Sequence, residues 1–337
     1  MKSRRIFGNT SLVVSEFGLG GARIGGIFQN DASGFVRLVS EAHDSGINFF
    51  DTADMYSQGE SEVLIGRALK PVRDRVVIAS KAGYCLPGRR RLAARLKPVL
   101  RPLIRLLKIR RDRLPAAARG ALAQDFSPPY LTRAVEASLR RLQTDYLDLL
   151  QLHSPPAEIV ERGEWEEALD GLQRAGKVRY YGVSCDTPEA ALAALRFPGV
   201  SSLQVAVNYF ERSSLETLIP RARAKDVAVI ARECLANGLL LKRPGEFDLA
   251  AYCKSQEEQR LREKQLAAFR DEVATTGQTA IDVALDFVTG VPGVTVSLLG
   301  ARTVDQLRGL LEHRGRGPKS VTGPVVQDVP VAGGQTP

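Results

Sequence analysis

The chain has 337 residues, 44% hydrophobic and 25% charged, with a formal net charge of +9; this is the balance of a globular protein and excludes a disordered or fibrous one. No run of about 18 uncharged apolar residues occurs, so no integral membrane segment is expected, and the polar Met1–Thr10 stretch lacks the apolar core of a secretory signal. The four cysteines (Cys85, Cys185, Cys234 and Cys253) are widely spaced without a C-x-x-C pair, which argues against a disulfide framework or zinc site and for a reducing, cytoplasmic setting.

In chain order, a β-hairpin is predicted over Arg4–Phe7 and Leu12–Ser15, followed by eight short apolar or β-branched runs of the kind buried parallel strands show. These are Glu16–Leu19, Asn48–Asp51, Val76–Lys81, Leu147–Leu152, Val178–Ser184, Leu203–Val207, Val227–Ala231 and Thr295–Leu299. Amphipathic helical stretches separate them: Ser33–Ser45, Glu60–Lys70, Tyr130–Leu142, Glu164–Ala175, Pro188–Leu195, Ser214–Lys225 and a two-helix stretch over Gln256–Thr289. Val304–His313 follows the last strand. Eight β-then-α units in one direction predict an α/β protein with a single (β/α)8 TIM barrel over residues 1–314. Residues 315–337, rich in Gly, Pro and Val and without a period, read as a surface tail.

One segment departs from this rhythm. After the third strand, residues 84–126 form an insertion far longer than such loops need. Between Gly88 and Gly120 lie twelve Lys or Arg and one acid, Asp112, which leaves the rest of the chain with 35 basic and 37 acidic residues. The excess charge is therefore local. Leu92, Leu96, Val99, Leu103 and Leu106 recur at helical spacing, interrupted by Pro98 and Pro102. No aromatic residue lies between Leu86 and Gly120, so base stacking is not offered and nucleic acid is not expected as a partner. The favoured reading is a helical flap beside the barrel mouth. An acidic partner or anionic membrane surface for residues 88–120, or an anionic substrate steered by the arginines, are the alternatives.

Chemistry in such barrels sits at the C-terminal ends of the strands, and the polar residues interrupting the apolar runs collect there. Asp51 ends the second strand and Tyr56 lies in the loop beyond it; Lys81 ends the third and His153 follows the fourth. Ser184 ends the fifth, Gln204 lies within the sixth, Arg232 ends the seventh, and Gly300, Ala301 and Arg302 follow the eighth. Hydride transfer to a carbonyl suits this set, because the negative charge building on oxygen needs a proton donor and a positive field. A phenol gives up its proton reluctantly, at a reference pKa of about 10. A nearby ammonium stabilises the phenolate, and a carboxylate keeps that ammonium charged and oriented. Tyr56, Lys81 and Asp51 supply these parts, with His153 to orient the carbonyl oxygen. Taken singly, each has a bland reading: helix cap, surface tyrosine, structural lysine or core histidine.

The chain resembles the aldo-keto reductase superfamily in Gly46-Ile-Asn-Phe-Phe-Asp-Thr-Ala-Asp-Met-Tyr56, Gly59-Glu-Ser-Glu62, Val77-Ile-Ala-Ser-Lys81 and Ser138-Leu-Arg-Arg-Leu142. The match continues in Asp145-Tyr-Leu-Asp-Leu-Leu-Gln-Leu-His153, Gly176-Lys-Val-Arg-Tyr-Tyr-Gly-Val-Ser184 and Leu299-Gly-Ala-Arg302. The resemblance implies a nicotinamide cofactor across the barrel mouth, usually NADPH, and a small carbonyl or sugar substrate. It implies Asp51, Tyr56, Lys81 and His153 as the catalytic tetrad, and Ser184 and Gln204 on the nicotinamide carboxamide. Leu235, Gly238 and Leu239 match the loop over the pyrophosphate, Gly300 to Thr303 the segment near the adenosine phosphate, and Gln306 follows among the cofactor-binding positions. Three positions depart: Cys185 where Asn is common, Arg232 where an aromatic ring often stacks on the nicotinamide, and Gly309-Leu310 where a Glu-Asn pair reaches adenine. Arg302 and Thr303 can face a 2′-phosphate, which favours NADP over NAD. No G-x-G-x-x-G follows a strand, so the Rossmann alternative is excluded. A cofactor-binding regulatory subunit with little turnover, resembling the β subunits of potassium channels, is the alternative function.

Overall fold

The computed structural model describes residues 4–22, 24, 31–85, 123–243, 245–253 and 255–312. The expected helical flap and acidic-partner segment within 86–122, and the expected tail from 315, lie outside the described residues. Eight parallel strands close into a barrel: β3 (Phe17–Gly20), β4 (Phe49–Asp51), β5 (Val77–Ala82), β8 (Leu147–His153), β9 (Val178–Ser184), β10 (Val200–Ala206), β11 (Ala228–Arg232) and β12 (Val294–Leu299). Each pairs with the next in parallel, and β12 pairs back onto β3. The (β/α)8 barrel and its hairpin are as expected. The hairpin, β1 (Arg4–Ile6) with β2 (Val13–Ser15), is antiparallel in the register Arg4↔Ser15.

Side-chain parity explains why the site lies where it does. Successive strand residues point to opposite faces. Phe49, Val77, Ala79, Leu149, Ile230, Val296 and Leu298 share one apolar cluster inside the barrel, and Phe7, Leu12 and Val14 of the hairpin plug it from below. Phe50, Ile78, Leu150, Leu152, Val183, Leu203 and Val205 belong instead to the larger cluster under the helices. Two residues past an inward apolar residue stands an inward polar one: Asp51 after Phe49, Lys81 after Ala79, Gln151 after Leu149 and then His153, and Arg232 after Ile230. The barrel is thus dry at its N-terminal end and polar at its C-terminal end.

The helical layer comprises α1 (Ala32–Asp44), α2 (Glu60–Leu69), α3 (Pro128–Leu142), α4 (Ala157–Arg162), α5 (Glu166–Arg174), α6 (Pro188–Ala194), α7 (Leu218–Ala224), α8 (Gln256–Thr276), α9 (Ala280–Thr289) and α10 (Val304–Leu311). Three features differ from expectation. Helix α5 falls where a helix was predicted over Glu164–Ala175, but α4, just before it, was not predicted. They are separated by Gly163 in the left-handed region at φ 68°, and α4 buries only Val160, too little to show an amphipathic period. Strand β10 begins at Val200 rather than Leu203, because Ser201 and Ser202 are buried strand residues; the Ser201 hydroxyl donates to the Tyr181 carbonyl at 2.7 Å. Finally, the insertion leaves and returns on a two-stranded antiparallel ladder, β6 (Tyr84–Cys85) with β7 (Ala123–Gln124), which was not predicted.

Candidate active site

At the polar end of the barrel, Asp51 and Lys81 are buried to 3% and 1% exposure. The Lys81 ammonium donates to Asp51 Oδ2 at 2.5 Å, to the Thr52 carbonyl at 3.1 Å and to Tyr56 Oη at 3.5 Å. Its three protons therefore have three acceptors, which is what makes a buried ammonium tolerable. The other carboxylate oxygen, Asp51 Oδ1, accepts from Gln204 Nε2 at 2.8 Å and Gln151 Nε2 at 3.3 Å. The His153 ring stands edge-on to Tyr56, centroids 5.6 Å apart at 83°. The four residues expected to act together are brought together.

The electrostatics separate their roles. Burial pushes the Tyr56 phenol above its ordinary pKa, and the Lys81 ammonium offsets this only in part. The phenol therefore remains protonated at rest, rather than being pre-ionised by its neighbour. Burial alone would pull the Lys81 ammonium down, but Asp51 and Tyr56 carry it above its usual value. His153 falls well below the usual imidazole range, through burial first and then the charges of Lys81 and Arg232. It is neutral at physiological pH, a hydrogen-bonding group rather than an acid.

A cleft of about 560 Å³ opens from these residues across the mouth of the barrel, within the usual range for ligand sites. Of the expected cofactor residues, Ser184, Gln204, Arg232, Leu235, Gly238, Gly300 and Gln306 line it; Leu239, Arg302 and Thr303 do not. Gly309 and Leu310 also line it. A side-chain carbon added at Gly238 (φ +91°) or Gly300 would meet nothing within 4 Å, so both leave bare backbone facing the cleft. That cradle fits a dinucleotide whose phosphates approach the main chain closely. Leu239 is buried beneath its loop. Arg302 is exposed, and its backbone amide donates to Gln306 Oε1 at 2.9 Å. Thr303 caps α10, its hydroxyl accepting from the Gln306 amide.

Several site residues escaped the sequence reading. Gln151 shares Asp51 Oδ1 with Gln204; its signal was parity, two residues before His153 on the same strand face. Tyr84 packs edge-on against His153, centroids 4.8 Å apart. Asp186 and Glu233 both ion-pair with Arg232, the former at 2.7 Å, and Arg232 also donates to the Cys185 carbonyl at 3.3 Å. Burial holds the Cys185 thiol protonated. Among the described residues, no His, Cys, Asp and Glu cluster could hold a metal ion, and no helix is long and apolar enough to cross a membrane.

A barrel with a buried Asp–Lys–His set and a half-buried tyrosine beside a dinucleotide-sized cleft defines a nicotinamide-dependent oxidoreductase. The profile of the aldo/keto reductase family matches residues 16–314, and the chain belongs to that family. Aldo-keto reductase YhdN of Bacillus subtilis (strain 168) is 30% identical over 320 residues, covering 91% of this chain and 87% of its own. Among solved structures, the holo form of aldo-keto reductase AKR11C1 from Bacillus halodurans superposes with a TM-score of 0.75 at 27% identity, covering 95% of this chain and 93% of its own. The glycerol dehydrogenase AKR11B4 from Gluconobacter oxydans gives 0.72 at 27%, covering 93% and 90%.

Proposed function

We propose that this reductase transfers a hydride between NADP and an aldehyde, ketone or aldose carbonyl, with Tyr56 as the proton donor. The observation that carries this reading is the Tyr56 hydroxyl, protonated at rest and 3.5 Å from an ammonium that Asp51 holds in place. Bound dihydronicotinamide supplies the hydride. As charge builds on the substrate oxygen, Tyr56 Oη passes its proton to it, and the Lys81 ammonium stabilises the phenolate left behind. Asp51, held by Gln151 and Gln204, keeps that ammonium charged and aimed. Neutral His153 hydrogen-bonds the carbonyl oxygen without supplying the proton. Ser184 and Gln204 are the groups proposed for the carboxamide; the Ser184 hydroxyl and Gln204 Oε1 are 3.4 Å apart, so the pair is already oriented on one wall of the cleft. Arg232, braced by Asp186 and Glu233, is proposed to offer its flat guanidinium to the nicotinamide face. Leu235, Gly238, Leu239 and Gly300 are proposed for the pyrophosphate. The test is the loss of NADPH absorbance with a panel of aldehydes, ketones and sugars; no turnover with any of them would reject the reading.

Arg302 and Thr303 stand at the N-terminus of α10, where the helix dipole and an exposed guanidinium both favour an anion. They are proposed to read the 2′-phosphate, with Gln306 beside them. Arg302→Ala should weaken NADPH binding about tenfold, the worth of one charge-assisted hydrogen bond, and leave NADH binding nearly unchanged. Fluorescence titration with both cofactors checks this, and equal weakening for both would remove Arg302 from phosphate recognition.

A further inference from the structure

Asp54 takes no part in the chemistry above, yet it lies in the loop that joins Asp51 to Tyr56, and its Oδ1 is buried without a hydrogen-bond partner among the described residues. Its other oxygen, Oδ2, faces the Tyr130 hydroxyl at 3.4 Å, while that hydroxyl sits 2.8 Å from the Tyr84 carbonyl. A phenol has one proton and cannot donate to both. The carbonyl is the nearer acceptor and takes it. An ionised Asp54 would then set its Oδ2 against an oxygen lone pair with no proton between them. A neutral carboxyl resolves the count, because its O–H on Oδ2 donates to Tyr130, and Tyr130 donates on to Tyr84.

We propose that Asp54 is a positioning residue, a neutral acid completing a hydrogen-bond chain through Tyr130 to the Tyr84 carbonyl and so fixing the substrate-side wall of the site.

The surroundings favour the neutral form. From α2, Glu62 presents a second buried acid, whose carboxylate is already committed to the Ser80 hydroxyl at 2.6 Å and to Arg141 Nε at 2.5 Å. From α3 come Tyr130 and Arg141, the latter spent on Glu62. From β6 the Cys85 thiol also faces the Tyr130 hydroxyl. From β5, Lys81 offers Asp54 only its backbone carbonyl, which accepts the Asp54 amide at 3.0 Å, since its ammonium is turned to Asp51, Thr52 and Tyr56. Burial and Glu62 together push the Asp54 carboxyl up to about 7, against the pull of Arg141, the Met55 backbone amide and the Tyr130 hydroxyl.

The chain ends where it matters for catalysis. Tyr84 packs edge-on against His153 and opens the β6–β7 ladder. Gln124 of β7 in turn donates to the carbonyls of His153 at 3.2 Å and Ser154 at 2.9 Å. When Asp54 ionises, the single Tyr130 proton is contested by two acceptors and the tie to Tyr84 weakens. Substrate binding loosens, while the cofactor side of the cleft, built from β9 to β12, is untouched.

The effect on turnover rests on the reductase reading; the protonation of Asp54 does not. The test therefore has two arms, on the wild type, Asp54→Asn and Tyr130→Phe. In the first, KM for a reduced carbonyl substrate should rise about threefold to tenfold, the worth of one net hydrogen bond, as pH climbs through neutrality, with the Kd for NADPH unchanged. Asp54→Asn, whose amide donates to Tyr130 at every pH, should keep the low-pH KM throughout. Tyr130→Phe should show the raised KM at both ends, so either variant decides if the other fails to fold. In the second arm, infrared difference spectra across the same pH range should show a carboxylic-acid band lost in the wild type and missing from the Asp54→Asn variant. A KM inflexion that survives in Asp54→Asn, or an unaltered acid band in that variant, overturns the proposal. If no variant oxidises NADPH, the reductase reading falls, and the infrared arm alone decides the state of Asp54.

Discussion

Tyr56→Phe is expected to lower kcat by about 10²–10⁴-fold, the usual worth of a positioned general acid, without weakening cofactor binding. The change removes one oxygen and nothing else. The ring would keep its edge-on contact with His153, and Lys81 would keep Asp51 and the Thr52 carbonyl as acceptors. Burial already raises the phenol above its ordinary pKa, so in the proposed mechanism the wild type keeps its proton until charge develops on the substrate; phenylalanine has none to give. Neutral His153 cannot substitute, because burial and its cationic neighbours keep it unprotonated at working pH. Single-turnover rates with a substrate the wild type reduces, beside a fluorescence titration of NADPH, separate chemistry from binding. An unchanged kcat would exclude Tyr56 as the acid, and a loss confined to NADPH affinity would make it a cofactor residue.

Lys81→Met should abolish turnover and also destabilise the fold, by about 3–5 kcal/mol near pH 8, because it strands the Asp51 carboxylate in a dry barrel. Gln204 and Gln151 still donate to Oδ1, but Oδ2 loses its partner. Urea unfolding near pH 8 measures the loss. The double variant Asp51→Leu/Lys81→Met should recover most of the stability and none of the activity, since the buried charge is gone along with its partner. A Lys81→Met protein as stable as the wild type at pH 8 would mean that water reaches Asp51 and the site is not dry.

Much of this is legible in the sequence alone. Eight short apolar runs with helical stretches between them define the barrel, because a strand buried on both faces has to be apolar throughout. The candidate tetrad was legible for a related reason. A barrel interior tolerates polar residues only near its open end, so a lysine or aspartate closing an apolar run marks a strand's C-terminus. What failed locally was weakly patterned: α4 buries a single residue, and Ser201 and Ser202 hide a strand start by bonding or packing inside it.

Which inward residues meet was decided only by closure of the barrel. Asp51 finds Gln151 at a sequence separation of 100 and Gln204 at 153, and Asp54 finds Tyr130 at 76. Nothing in the chain near Asp51 announces either glutamine. The same holds for Arg232, whose second acidic partner, Asp186, lies 46 residues away and is brought beside it only by the fold. Parity and strand order are local properties of a sequence, carried by the spacing of apolar residues. The height at which each strand enters the barrel is set by parallel register across all eight, and that register determines which polar ends share one level and which proton goes to which acceptor.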